Sequence, residues 1–269
     1  MVVTKHIGQG GNSMFQIACS IGYARKYGYQ WAVDYGRGVS EPYSKIHEWF
    51  PNLPKHELSG QRFHEHPNEF CQLHRVHKNE CHFDYHPIPD MGSNVVMTGF
   101  FQSWKYFEGQ DEEIKKVFAL PHIAGYEDYV SIHVRRGDYV QHAGSFPPVT
   151  KEYIKQAIAK FMIPLDFKRP NLLFFSDDIQ WCKETFSDYA GVKEFSEGRT
   201  AFEDLCLMAS CGHHIIANST FSWWGAYLGH NPNKIVISPS AETWFGPTAG
   251  VKKPVVDLIP PNWIQIHTR

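Results

Sequence analysis

Two adjacent arginines sit in the run His133-Val-Arg135-Arg136-Gly137-Asp138-Tyr139, directly after the apolar stretch Tyr129 to Val134. Arginine donates through a planar fork and keeps its charge near neutral pH, so this pair suits a phosphate group. At the carboxyl end of a parallel strand it would stand where open α/β sheets take their ligands. The plain alternative is a pair of solvated loop charges neutralised by Asp138, and one motif does not choose between them. A second loop, Phe174-Phe175-Ser176-Asp177-Asp178, offers a hydroxyl and carboxylates between a strand and a helix, or simply a helix cap. In a third, Ala217-Asn218-Ser219-Thr220-Phe221-Ser222, small polar side chains precede a short helix. The N–H groups of such a helix start suit a diphosphate without a metal. Trp223 and Trp224 read as core residues.

Alternating strands and helices must position these loops. Strands are expected at Tyr129–Val134, Asn171–Ser176, His213–Ala217 and Lys234–Ser238, with helices at Lys151–Met162, Asp178–Phe186, Thr200–Ser210 and Ser222–Leu228. Strands separated by helices of this length imply parallel pairing through right-handed crossovers, so the three loops should open on one sheet edge. Before them come a strand at Val2–Ile7, a turn Gly8-Gln-Gly-Gly-Asn12, a helix from about Ser13 to Tyr27 and a strand at Gln30–Tyr35. A strand at Val95–Phe101 and a helix at Ser103–Leu120 follow a stretch, roughly 36–92, that shows no clear pattern. The expected organisation is two α/β halves, residues 1–122 and 123–269.

The 269 residues suffice for two modest cores, and 15% aromatic content is compatible with a sugar or nucleotide ligand. A net charge of −2 without a basic block argues against a general nucleic-acid binder. The N-terminal residues lack a signal-peptide layout, and no apolar run approaches the roughly 18–20 residues that span a bilayer. Cys19, Cys206 and Cys211 lie in apolar helical patterns and read as buried free thiols. The expectation is a soluble protein in a reducing compartment.

The ordered motifs His133-Val-Arg-Arg-Gly-Asp-Tyr139, Phe175-Ser-Asp-Asp178, Asp204-Leu-Cys-Leu-Met208 and Ile216-Ala-Asn-Ser-Thr-Phe-Ser-Trp-Trp-Gly225 resemble the motif series of the α-1,2-fucosyltransferases. Gly11-Asn12-Ser13-Met14-Phe15-Gln16 is similar to their N-terminal element, and Gly99-Phe-Phe-Gln102 with Tyr106-Phe107 fits as well. The resemblance implies two facing Rossmann-like domains of GT-B type, an acceptor-side first half and a GDP-fucose-binding second half. It also implies inversion at the fucose anomeric carbon, no metal and a glycan acceptor, with galactose O2 the expected position. By the same resemblance Arg135 would hold the donor phosphates, with His133, Arg136 and Asp138 shaping its loop. Ser176 and Asp177 would orient the nucleotide, and Asn218 with Ser219 to Ser222 would line the diphosphate. Asp204 would read the guanine edge, where two acceptor oxygens match the N1–H and amino donors. Gly11, Asn12 and Gln16 would face fucose or acceptor. The general base stays open: Asp138 is one candidate, His142 and Glu41 are others. Animal relatives carry a Golgi anchor; this chain fits a bacterial or viral cytoplasmic enzyme better.

Two other readings compete. Gly8-x-Gly10-x-x-Ser13 after a strand, with Asp34 ending the next, imitates a nicotinamide-dinucleotide fingerprint with Ser in place of the third small residue. His64, His66, Cys71, His74, His77, Cys81, His82 and His86 have zinc-ligand chemistry but lack paired ligand spacing, and a polar surface insertion accounts for them better.

Overall fold

The computed structural model describes residues 1–5, 8–34, 45–57, 64–67, 83–162, 169–251 and 254–268. The chain forms two units, Met1–Ala119 with Gly250–Pro260, and Leu120–Ala249 with Pro261–Arg269. A single division near residue 122 was expected; instead the chain returns once to the first unit. Asp257 anchors the return, taking Lys105 Nζ at 2.5 Å and the Tyr85 N–H at 2.8 Å, while its carbonyl accepts from Ser103 Oγ at 2.8 Å.

The first unit holds a parallel sheet in the order β3 (Lys55–His56), β2 (Trp31–Asp34), β1 (Val2–Thr4), β5 (Val95–Thr98), β4 (His64–Pro67). Helix α1 (Gly10–Tyr27) buries Cys19, Tyr23 and Ala24 against Val2, Val95, Met97 and Phe101. It begins three residues earlier than its apolar pattern indicates. A Cβ on Gly10 would stand 2.4 Å from the Trp49 ring, so the first turn packs flat on α2 (Ile46–Trp49). The glycine spacing thereby has a packing cause that requires no dinucleotide. The helix expected over 103–120 is broken. A 3₁₀ turn at Trp104–Phe107 ends before Gly109, whose φ of 77° is left-handed, and α3 starts afresh at Asp111–Val117. Three acidic residues in the first turn of α3 complement its dipole.

The second unit is a parallel sheet in the order β11 (Ile264–Ile266), β10 (Val236–Pro239), β9 (His213–Ile215), β6 (Tyr129–Val134), β7 (Asn171–Ser176), β8 (Lys193–Phe195). From β6 the chain builds outward to β8, then crosses and builds outward the other way from β9. That reversal places a topological switch between β6 and β9, where doubly wound sheets bind ligands. The helices are α4 (Gly137–Gln141), α5 (Lys151–Phe161), α6 (Ile179–Thr185), α7 (Ala201–Ser210) and α8 (Thr220–Tyr227). Thr150 and Asp178 cap α5 and α6, and Thr200 with Glu203 forms a capping box on α7. β7 reads as a continuous apolar run because Leu172 and Phe174 are buried on one face of the sheet and Leu173 and Phe175 on the other, whereas β6 buries Val130, Ile132 and Val134 on one face and the polar Ser131 and His133 on the other. Cys19, Cys182, Cys206 and Cys211 are buried free thiols. No helix among the described residues is long and apolar enough to cross a membrane.

Gly212 leads into β9, and a Cβ there would lie 2.0 Å from the Glu127 carbonyl oxygen. Because backbone, not a flexible side chain, is in the way, Gly212→Ala should destabilise by about 2–3 kcal/mol. Urea unfolding checks this: the midpoint should fall with the slope unchanged.

Candidate active site

The loops after β6, β7 and β9 open on the carboxyl edge of one parallel sheet. Arg135 follows β6 with its guanidinium held between two carboxylates, Asp138 Oδ1 at 2.8 Å and Asp177 Oδ2 at 2.9 Å. The same Asp177 accepts the Arg136 backbone N–H on Oδ1 at 2.8 Å. Arg136 turns the other way, donating to Asp178 at 2.9 Å with its guanidinium 4.4 Å from the Trp181 ring centroid. The two arginines therefore do different work. Arg135 faces the loop cluster, whereas Arg136 ties that loop to the start of α6. Its hydrogen bond also holds the Asp178 carboxyl below the usual range.

The two readings of the second loop divide between its residues. Ser176 Oγ accepts the Asp178 N–H at 2.9 Å and Asp178 caps α6 through the Trp181 N–H, so these two are structural. Asp177 is the carboxylate that meets Arg135. Gly137 lets the chain pass close beside it, since a Cβ would come 2.6 Å from Asp177 Oδ2 and push that carboxylate aside.

His133 is 7% exposed at the end of β6, its ring 5.5 Å from that of Phe221. Burial pushes its pKa down to about 4, with Asp177 opposing and Arg135 assisting, so the ring is neutral at pH 7. Tyr139 lies under Arg135 at 5.7 Å and donates its hydroxyl to the Asn218 carbonyl at 3.0 Å. Burial raises it to about 12, so it serves as a donor and not as a base.

In the third loop the side chains part company. Asn218 donates to the carbonyls of Pro147 and Trp244 at 3.1 and 2.8 Å and so joins two neighbouring loops. Ser222 is buried and donates back to the Ser219 and Ala217 carbonyls, away from the sheet edge. Ser219 is the N-cap residue of α8, without a side-chain cap bond, and the first intrahelical bond runs from Trp223 N–H to Ser219. Thr220 and Phe221 form the first turn of α8, ahead of that bond. Trp223 and Trp224 are fully buried.

Asp204 lies in the first turn of α7, beyond β8, bonded to Ser196 Oγ; burial raises its carboxyl, against the pull of Ser196 and Arg199. In the first unit, Asn12 Oδ1 accepts from Gln102 Nε2 at 3.0 Å, joining the start of α1 to the loop after β5. Gly11 is buried in that first turn, and Gln16 is buried one turn further on. Asp34 ends β2 and Glu41 lies outside the described residues, as do Cys71, His74, His77, Cys81 and His82. No group of three or more His, Cys, Asp or Glu among the described residues could hold a metal ion.

A sequence profile of glycosyl transferase family 11 matches residues 123–266, the span that carries all three loops. An alpha-1,2-colitosyltransferase of Escherichia coli is 35% identical over 196 residues, 66% of this chain and 64% of that protein. Galactoside 2-alpha-L-fucosyltransferase Sec1 of Mus musculus is 30% identical over 170 residues, 54% of this chain and 44% of that protein. The chain thus spans less than two thirds of either relative. Among solved structures, the alpha-1,6-fucosyltransferase NodZ soaked with GDP-fucose gives a TM-score of 0.49 at 15% identity, covering 88% of this chain and 94% of that one.

A histidine kept neutral by burial costs stability in acid. The unfolded chain takes up its proton near pH 6.5, whereas the folded one resists until about pH 4. Stability should therefore fall as pH drops through that window, by up to about 3 kcal/mol for this group. Urea unfolding at pH 7, 5.5 and 4.5 should show a shallower loss for His133→Gln than for the parent.

Proposed function

The chain belongs to glycosyl transferase family 11, and from that premise we propose that it is an inverting, metal-independent fucosyltransferase. It moves L-fucose from GDP-fucose to a glycan acceptor, at O2 of a terminal galactose. The observation that carries this reading is Arg135, fixed at a strand end beside the sheet's switch point. A guanidinium has five N–H donors. Asp138 and Asp177 hold its two terminal nitrogens as ion partners at 2.8 and 2.9 Å, so the fork is already oriented when an anion arrives.

In the reaction the acceptor hydroxyl attacks C1 of fucose from the face opposite GDP. The C1–O bond breaks with its electron pair passing to the β-phosphate, and the hydroxyl proton passes from the acceptor to solvent water. Negative charge grows on the phosphate, where donors already in place act without reorganisation. Arg135 and the N–H groups at the start of α8 meet that charge. Asp138 orients Arg135, since its Oδ1 is already paired with it. An oxocarbenium-like transition state asks little of a base. Asp204 takes the guanine edge, and Gly11, Asn12 and Gln16 belong to the acceptor side. The α-1,2 linkage in the names of both relatives supports the position of transfer. A soluble enzyme of a bacterial or viral cytoplasm fits this reading.

Arg135→Lys keeps the charge but loses the fork, so kcat should fall about 100- to 1000-fold. Transfer from GDP-fucose to lactose in the presence of EDTA, with the product linkage determined by NMR, checks this. Loss of transfer with EDTA would rule out metal independence, fucose at another hydroxyl would rule out the linkage, and near-parental turnover by Arg135→Lys would rule out Arg135.

A further inference from the structure

We propose that Ser196 and Arg199 are positioning residues that fix Asp204 as a double acceptor, so that the site takes guanine and refuses adenine. The inference rests on the donor reading above and deepens it. Ser196 is 7% exposed, and its backbone N–H donates to the Phe174 carbonyl at 2.8 Å. Pairing with β7 therefore places its side chain, at the end of β8. The hydroxyl meets Asp204 Oδ1, and Arg199 Nη1 lies 3.2 Å from the same Ser196 Oγ.

The direction of these bonds follows from what each group can do. A guanidinium only donates, so Ser196 Oγ receives from Arg199 and sends its own proton to Asp204. A row of donors that ends on Asp204 favours the carboxylate over the acid. The charged groups beside Asp204 are Arg199, which favours ionisation, and Glu203, which opposes it together with burial. The Thr200–Glu203 capping box holds the same helical turn. With one lone pair of Oδ1 taken, roughly three of the four acceptor positions remain. Guanine presents two adjacent donors, N1–H and the exocyclic amino group. Adenine presents an acceptor at N1, whose lone pair would point at the carboxylate.

The experiment is calorimetric binding of GDP and ADP to the full chain from about pH 4.5 to 8. The proteins are the parent, Ser196→Ala, Ser196→Thr and Arg199→Gln. The parent should prefer GDP to ADP. Ser196→Ala should weaken GDP about tenfold, move the acid limb of GDP binding to higher pH and leave ADP unchanged. Ser196→Thr, which keeps the hydroxyl, should restore affinity and limb together. Arg199→Gln, at an exposed position, should shift the limb the same way and supplies that readout should Ser196→Ala not fold. Parental GDP affinity and acid limb in folded Ser196→Ala or in Arg199→Gln would overturn the proposal, as would equal affinity of the parent for ADP. A parent that binds no guanine nucleotide would bring down the donor assignment as well.

Discussion

One carboxylate, Asp177, holds the loop cluster of the second unit together. One of its oxygens takes the Arg136 backbone N–H and the other the Arg135 guanidinium, so the loop after β7 fixes both the path of the loop after β6 and its reactive side chain. A lone arginine at a strand end would lose considerable rotamer freedom on meeting a ligand. Here much of that ordering is complete beforehand, which is what preorganisation means in energetic terms. The close approach also favours glycine at 137, where a side chain would displace the Asp177 carboxylate. Arg135, Gly137 and Asp177 are thus one feature, although they lie forty residues apart in part.

The same pairing sets the charge of the cluster. Arg135 and Arg136 stand among Asp138, Asp177 and Asp178, so the cluster carries no excess of positive charge. Under the proposed reading a phosphate would be held by placed donors, the Arg135 guanidinium and the first turn of α8, and not by a broad positive field. Lysine would supply the charge but could not stay paired to two carboxylates and still offer a planar face. Asp138, the most exposed of the partners at 55%, is the one whose bond to Arg135 a ligand competes with most easily.

The long elements of the second unit were legible because β7 is a continuous apolar run, β6 alternates and the helices are periodic. β8, β11 and α4, of three to five residues, are too short for any period to show. The early start of α1 depends on Trp49, far away in sequence, and the break before α3 on a left-handed Gly109 that a helical pattern alone conceals. At the loop cluster, residue types mark three loops that share one sheet edge but not the individual contacts of each side chain. Nothing local separates Asp177, which meets Arg135, from its neighbour Asp178, which caps a helix. Ser222 reads like Ser219 until the helix turns it inward. Ser196 had no signal at all, because its partner Asp204 is defined by the turn from β8 into α7.

Strand order repeats one constraint in both units with different chemistry. In the first, β1 and β5 are neighbours at the reversal of the sheet, and the segments after them are joined by the Asn12–Gln102 bond. In the second, β6 and β9 are the neighbours, and charged groups with helix N–H donors follow them. Carboxamides carry donor and acceptor together without charge, which suits hydroxyls of either sense and gives a phosphate little. Guanidinium and N–H groups donate only, which suits an anion. The two switch points therefore differ in chemistry, carboxamides at one and donors with carboxylates at the other, and the proposed split between sugar acceptor and diphosphate donor follows that difference.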